Sequence, residues 1–498
     1  MKQQWKSILA GTLACASVFL TACGGGAGGG GGNAGGNKTQ HIDNPWWTTT
    51  GTLDKNSDGT INYQDITLRL VTVVAGADQY PLADMITKFN LEHEGKINVI
   101  MEVVNEENYA TQIATRIQTN MNTPDILMTH SKLQKGLVDK EYIQPLEEVV
   151  EATGYEMDWD NYSEVFAKDA NLGYDNGTFI VPIDMQSEVV VYNKEILNSL
   201  SMGVPTTREE LLDVCAAFAQ KYTDSDMNAI LMPTEGGHFH KYVYPTAYLQ
   251  NGGELYNEDT YKANWTSAEN TKAFKDATDS ILDLEESGYM KLNETEDAAI
   301  SRFANNKGLF LFMSPWRVVA GGGSVFNTYA QQNGVDKTAV DFMSRMCERL
   351  GGMSIANLFA MDGSKECAEY VYVDSHSFSI SSSVTDINKK AASLYFMKWF
   401  TENGETAAAW AQAGHNSCNA LALNNAAYMD DIFVKTVSQN FYDVNAIKTV
   451  GCNPYASDLM KHMNGLSPKL LAKPATLESE IATAQSKYNG QIEFDEDY

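Results

Sequence analysis

Basic residues are few. Lys and Arg number 36 against 64 Asp and Glu in 498 residues, for a formal charge of −28. So acidic a surface repels phosphate backbones, which argues against nucleic acid as a partner. It disfavours anionic ligands more weakly and leaves neutral and cationic small molecules open. Cysteine is scarce, with seven residues and no CxxC pair. Cys15 lies in the N-terminal apolar run and Cys23 at its end, so five remain (7 − 2 = 5): Cys215, Cys347, Cys367, Cys418 and Cys452. An odd, scattered set is neither a disulfide framework nor a zinc cage. Buried small apolar side chains account for it, and an oxidising compartment leaves room for one or two disulfides. Beyond the N-terminus no run reaches the length of about 18 apolar residues that spans a bilayer. There is no G-x-S-x-G elbow, and His93-Glu94 continues as Gly95-Lys96-Ile97, so no H-E-x-x-H helix exists either. Hydrophobic residues at 43% and charged residues at 20% describe a folded globular chain. At roughly 150 residues per domain the length predicts about three domains or two large lobes.

What is present begins with an address. Lys2 and Lys6 precede an apolar run from Ile8 to Leu20, which ends in Leu20-Thr21-Ala22-Cys23. Charge, then a short apolar stretch, then small residues is the order of an export signal. Its end resembles the bacterial lipoprotein box. That resemblance implies cleavage after residue 22 and lipid on Cys23, hence a membrane anchor facing outside the cytoplasm. Two or more acyl chains would hold stably where one would not. Ten of the thirteen residues from Gly24 to Gly36 are Gly. Such a tract has nothing to bury, and about seventeen residues of it reach roughly 20–25 Å, so residues 23–45 read as a flexible tether.

The body alternates strands and helices. Ile66 to Val74 is strand-like, and Leu82, Met85, Ile86 and Phe89 recur at helical spacing. Ile97 to Val104 is again strand-like, Tyr109, Ile113, Ile117 and Met121 form a helix face, and Pro124 to Met128 is a short buried strand. Strand–helix repetition within about sixty residues predicts a parallel, doubly wound α/β sheet, whose ligands bind beyond the carboxyl ends of the strands. A second block holds helical patterns at Arg208–Tyr222, Ala268–Glu286 and Asn388–Phe400, and a buried strand Leu309–Met313 that runs into Ser314-Pro315-Trp316.

These elements carry a resemblance. The landmarks are Leu70–Asp78, Pro124-Asp125-Ile126, Gly136-Leu137 before Ile143-Gln144-Pro145-Leu146, and Val181-Pro182-Ile183-Asp184 before Val191-Tyr192-Asn193-Lys194. Further on come Pro205-Thr206-Thr207-Arg208-Glu209-Glu210-Leu211 (with Arg208 where the pattern has Trp), Gln250–Leu255, Ser314-Pro315-Trp316 and Trp410 to Gly414. From about Leu68 onward the chain resembles the family 1 extracellular solute-binding proteins, the sugar-capturing subunits of bacterial ABC importers. The resemblance implies a periplasmic-binding-protein-like type II fold of two doubly wound α/β lobes joined by a hinge. Mapped onto this chain, residues 1–22 are the signal and 46–65 a hairpin-like extension. Lobe one is 66–180 plus 380–425, and lobe two 185–373 plus 426–498. Crossings fall near Pro182–Val190, Asp374–Ser381 and His415–Leu423. It further implies a carbohydrate ligand in the cleft, ABC permease subunits as partners and no catalytic residues or required cofactor.

Neutral sugars need aromatic faces and planar polar groups. Trp316, at the end of a buried strand, is the candidate stacking residue, against the plainer reading of a core tryptophan. Arg317 beside it donates to hydroxyls or faces water. Asp78 and Gln79 occupy the first strand-to-helix loop, where Asp78 equally suits a helix cap. His130 ends the third strand. Asp184 and Gln186 lie on the first crossing and face cleft or hinge, and Trp410 and His415 flank the third. Glu235, His238 and His240 form an E-x-x-H-x-H run that fits a cleft-lining loop better than a metal site. Eight scattered histidines offer a metal little.

Asp54-Lys55-Asn56-Ser57-Asp58-Gly59-Thr60 through Asp65 has the spacing of an EF-hand calcium loop, with Asp54, Asn56, Asp58, Thr60 and Asp65 as ligands of a structural Ca2+. The flanks are extended rather than helical, and a β-hairpin turn through Ser57-Asp58-Gly59 explains the same residues. Trp46 and Trp47 before it are expected to pack on the body. Three rival readings stand: a surface-anchored glycoside hydrolase, which needs two carboxylates about 5–10 Å apart, a binder of the same fold for a non-sugar solute, and a calcium-stapled adhesion module.

Overall fold

The computed structural model describes residues 41–437 and 446–496. The export signal, Cys23 and nearly all of the glycine tether lie outside the described residues. Ile66–Thr72 pairs in parallel with Ile97–Val103 on one side and Ile126–His130 on the other, with Leu70 opposite both Met101 and Ile126. Strands covered on both faces read as continuous apolar runs, and Leu68, Leu70 and Val71 are fully buried. The helix Gln79–Glu92 covers one face through Leu82, Met85, Ile86 and Phe89. The helix Tyr109–Thr119 covers the other through Tyr109 and Ile113. It ends before Met121: Asn120 and Asn122 take left-handed conformations at φ 51 and 50, and Met121 is exposed in the turn rather than on the helix face. His376–Ser381 joins this sheet antiparallel to Ile126–His130, because the chain re-enters from the opposite direction.

The second sheet runs in the order Leu350–Met353, Val189–Asn193, Gly308–Met313, Asn228–Leu231. It is mixed: only Asn228–Leu231 and Gly308–Met313 run parallel. Arg208, at the landmark's Trp position, opens the helix Arg208–Lys221. Its guanidinium donates to the Ser280 carbonyl at 2.9 Å and pairs with Asp283, so it docks this helix on Ala268–Glu286. The helices Ala456–Ala472 and Leu477–Glu496 pack on each other at the C-terminal end. The five cysteines among the described residues are free.

Three segments link the sheets side by side. Gln186 and Asp374 exchange both backbone hydrogen bonds, Ile183 N donates to His376 O, and Asn416–Ser417 pairs antiparallel with Asp184–Met185. The third segment does not leave the first lobe at once. The helix Ala420–Leu423 still packs on Gly404–Gln412, and contact with the second-lobe core returns at Phe433 and Val437.

Residues 46–65 lie against the first lobe. Trp46 donates to the Ile143 carbonyl at 3.0 Å and Trp47 to Glu148, while Thr50 pairs with Thr385 and Ile387, and the buried Lys390 reaches Thr48 and Thr49. The 54–65 loop is a hairpin turn. Lys55 bridges Ile61, Asn56 N donates to Thr60 O at 2.8 Å, and Gly59 takes φ 86. Asp58 Oδ1 accepts from both the amide and the hydroxyl of Thr60. Asp54, Asp58 and Asp65 do not converge as a ligand group among the described residues. Calcium added to chelator-treated, dialysed protein is therefore expected to leave the melting temperature unchanged. A rise that Asp58→Asn abolishes would place an ion in this loop.

Candidate functional site

Where the three linking segments meet, Asp184 is the hub. Oδ1 accepts the His376 amide at 2.7 Å, and Oδ2 accepts the Trp410 indole N–H at 2.9 Å and faces His376 Nδ1 at 2.9 Å. His415 Nδ1 stands 3.6 Å from the same oxygen, and its Nε2 meets Asp78 Oδ2 at 3.2 Å. Asp184 is fully buried. Burial alone would raise its carboxyl, but His376 and His415 outweigh that and hold it at about 2. Burial opposes charge on His376, yet Asp184 raises its pKa above the usual imidazole value. The Gln186 amide also contacts the His376 ring.

The sequence candidates thus divide. Asp184, Gln186, Trp410 and His415 come together, but inside the hinge, each 2% exposed or less. Asp78 makes no side-chain cap to its helix and reaches His415 instead. Gln79 turns back to the Gly76 carbonyl of its own loop at 2.8 Å. Arg317 is held away by Asp297 at 2.6 Å and Glu296 at 3.5 Å. Together with Glu235 and Gly236 these three line an open pocket of about 460 Å³ on the second lobe. The E-x-x-H-x-H run does not converge: His238 binds Glu296 at 2.7 Å, His240 binds Ser467 at 2.6 Å, and Glu235 is exposed.

Trp316 remains half-buried on the cleft side of the second lobe. Its ring lies parallel to His415 at 5.8 Å and edge-on to His238 and Tyr242 at 5.2 and 6.2 Å. Gly414 makes this approach feasible. It takes φ +97, and a Cβ there would sit 2.2 Å from the Trp316 amide nitrogen. His130 stacks on His376 at 4.6 Å and stays neutral, since burial and the Lys132 ammonium push its pKa down to about 3.

Several site residues were not singled out from sequence. Lys132 Nζ binds Asp374 at 2.8 Å and Glu106 at 3.4 Å. Burial alone would raise Glu106, but the Lys132 ammonium and second-lobe Lys241 draw its carboxyl below the usual carboxylate range. On the second lobe Ser314 donates to Glu188, a 3% exposed carboxyl that burial pushes up to about 7. A buried acid raised above its unfolded value of about 4.3 loses native stability as pH climbs from there through 7. Glu188→Gln is expected to raise stability at pH 8 by about 2–3 kcal/mol and far less at pH 5. Equal gains at both pH values in denaturant titrations would disprove a buried titrating carboxyl. The only foreshadowing of these groups was position: Glu106, Lys132 and Asp374 follow strand ends or a crossing.

Two α/β sheets joined by three linking segments are the architecture of a solute-binding protein. The model of the bacterial extracellular solute-binding protein family matches residues 84–433, and the chain belongs to that family, whose members act outside the cytoplasm. No curated protein sequence matches it. Among solved structures it is similar to the sugar-binding protein MalE from Xanthomonas citri, with 14% identity, TM-score 0.64 and coverage of 86% of this chain and 98% of that one. It is also similar to the MalE maltose/maltodextrin-binding domain from Bdellovibrio bacteriovorus bound to maltotriose, with 16% identity, TM-score 0.61 and coverage of 86% and 100%. An ABC substrate-binding protein from Listeria monocytogenes in complex with cycloalternan matches at 14% identity, TM-score 0.60 and coverage of 86% and 99%.

Proposed function

We propose that the protein captures a neutral sugar or oligosaccharide between its lobes, releases it unaltered to the permease of an ABC importer, and is anchored to the membrane through lipid on Cys23. The observation that carries the carbohydrate reading is Trp316. A half-buried indole that stacks on His415, whose far nitrogen meets Asp78, sets an apolar ring beside polar groups of the first lobe and the hinge. The structural relatives with sugars in their names support this reading. The charge of −28 agrees with an uncharged ligand.

Closure follows from a ligand touching both lobes: it binds the closed state better and shifts the population toward it. Intrinsic fluorescence of the protein titrated with a mono- and oligosaccharide panel is the direct test. A saturable change with at least one neutral sugar, and no product from it, is expected. Silence across the panel with a response to a peptide or polyamine would move the function to another solute. Turnover of a glycoside would make the protein a hydrolase.

A further inference from the structure

Scattered along the sequence, the histidines promised no metal site; the fold changes that. Asp184, His376 and His415 each present one ligand atom, and these atoms lie within 4.8 Å of one another. We propose that this trio is a binding site for a divalent transition metal of the zinc type. The site does not depend on the cleft ligand being a sugar.

Four observations carry it. The donor set is two imidazoles and one carboxylate, which suits zinc and disfavours Ca2+ or Mg2+. The spacing is close to what one ion needs: His376 Nδ1 and His415 Nδ1 stand 2.9 and 3.6 Å from Asp184 Oδ2, against about 3.4 Å between ligands of a tetrahedral zinc. His415 Nδ1 is buried, in a residue 1% exposed, and has no hydrogen-bond partner although that oxygen lies 3.6 Å away. A buried polar atom left unpaired is costly, and an ion beside it removes the cost. Finally, outer partners already orient the ligands. Asp78 takes the far nitrogen of His415 at 3.2 Å, the His376 amide and the Trp410 indole hold the Asp184 carboxylate, and Trp410 stacks on His415 at 4.1 Å. A ligating imidazole that gives its other nitrogen to a carboxylate is the usual support of a zinc histidine.

The ion would take the place of the proton between His376 Nδ1 and Asp184 Oδ2 and turn the Gln186 amide away from that nitrogen. Because each ligand comes from a different linking segment, one ion ties the whole hinge together. The test uses the full chain, stripped with chelator, dialysed and titrated calorimetrically with Zn2+ alone. One ion per chain is expected. His376→Gln and His415→Gln should each weaken binding more than about 100-fold, beyond the loss of an outer partner, and Asp78→Asn by about 10-fold. His462→Gln, outside the site, should bind as the parent does. Should the ligand variants not fold, the unmodified protein loaded with Co2+ decides. Intense visible bands of a four-coordinate N/O site support the proposal, and weak six-coordinate bands overturn it. No bound Zn2+, or equal binding in parent, His376→Gln and His415→Gln, also overturns it. A chain that binds Zn2+ and no sugar would refute the carbohydrate reading alone.

Discussion

Asp184→Ala is expected to cost about 3–5 kcal/mol of folding stability, the loss typical when one partner of a buried ion pair is removed. The substitution strands His376, whose side chain is 5% exposed, without its counter-charge, and leaves the Trp410 indole N–H unpaired. The pH dependence has two edges. Asp184 is depressed to about 2, so its contribution is present above the unfolded value of about 3.9 and disappears as pH falls through 2. His376 is raised, so its contribution is complete below the unfolded value of about 6.5 and disappears as pH rises through the higher folded value. Denaturant unfolding of parent and variant should therefore differ most between about pH 4 and 6.5. A gap that is flat from pH 3 to 9 would mean that Asp184 is not ion-paired.

Trp316→Ala is expected to weaken sugar binding by at least about 30-fold, the equivalent of a 2 kcal/mol hot spot, while the far-ultraviolet circular dichroism stays that of the parent. The ring is half-buried on a five-residue helix, Pro315–Val319, so its loss should not unfold the lobe. Trp316→Phe, which keeps an aromatic face, should recover part of the affinity. Unchanged affinity in Trp316→Ala would remove this residue from the binding surface.

Much of the frame was legible. The apolar periods around Ile66–Thr72 and Gln79–Glu92 follow from burial on two faces of a strand and one face of a helix, and such patterns survive in any one-dimensional reading. Met121 shows the limit. Its spacing continues the Tyr109 face, but Asn120 with positive φ caps the helix first. At the site, Asp184, Trp410 and His415 could be chosen from their places near chain crossings. Their burial and mutual contacts could not, because Asp184 and His376 are 192 residues apart and only the hinge brings them together.

Local chemistry along the chain was enough to specify an acidic α/β protein with an indole after a buried strand, since charge, apolar period and turn residues act over a few positions. Which histidines share one carboxylate, which carboxyl burial pushes up to about 7 and which tryptophan stacks on a hinge histidine were settled only by folding. Those properties depend on distance and desolvation between groups that the covalent chain holds far apart.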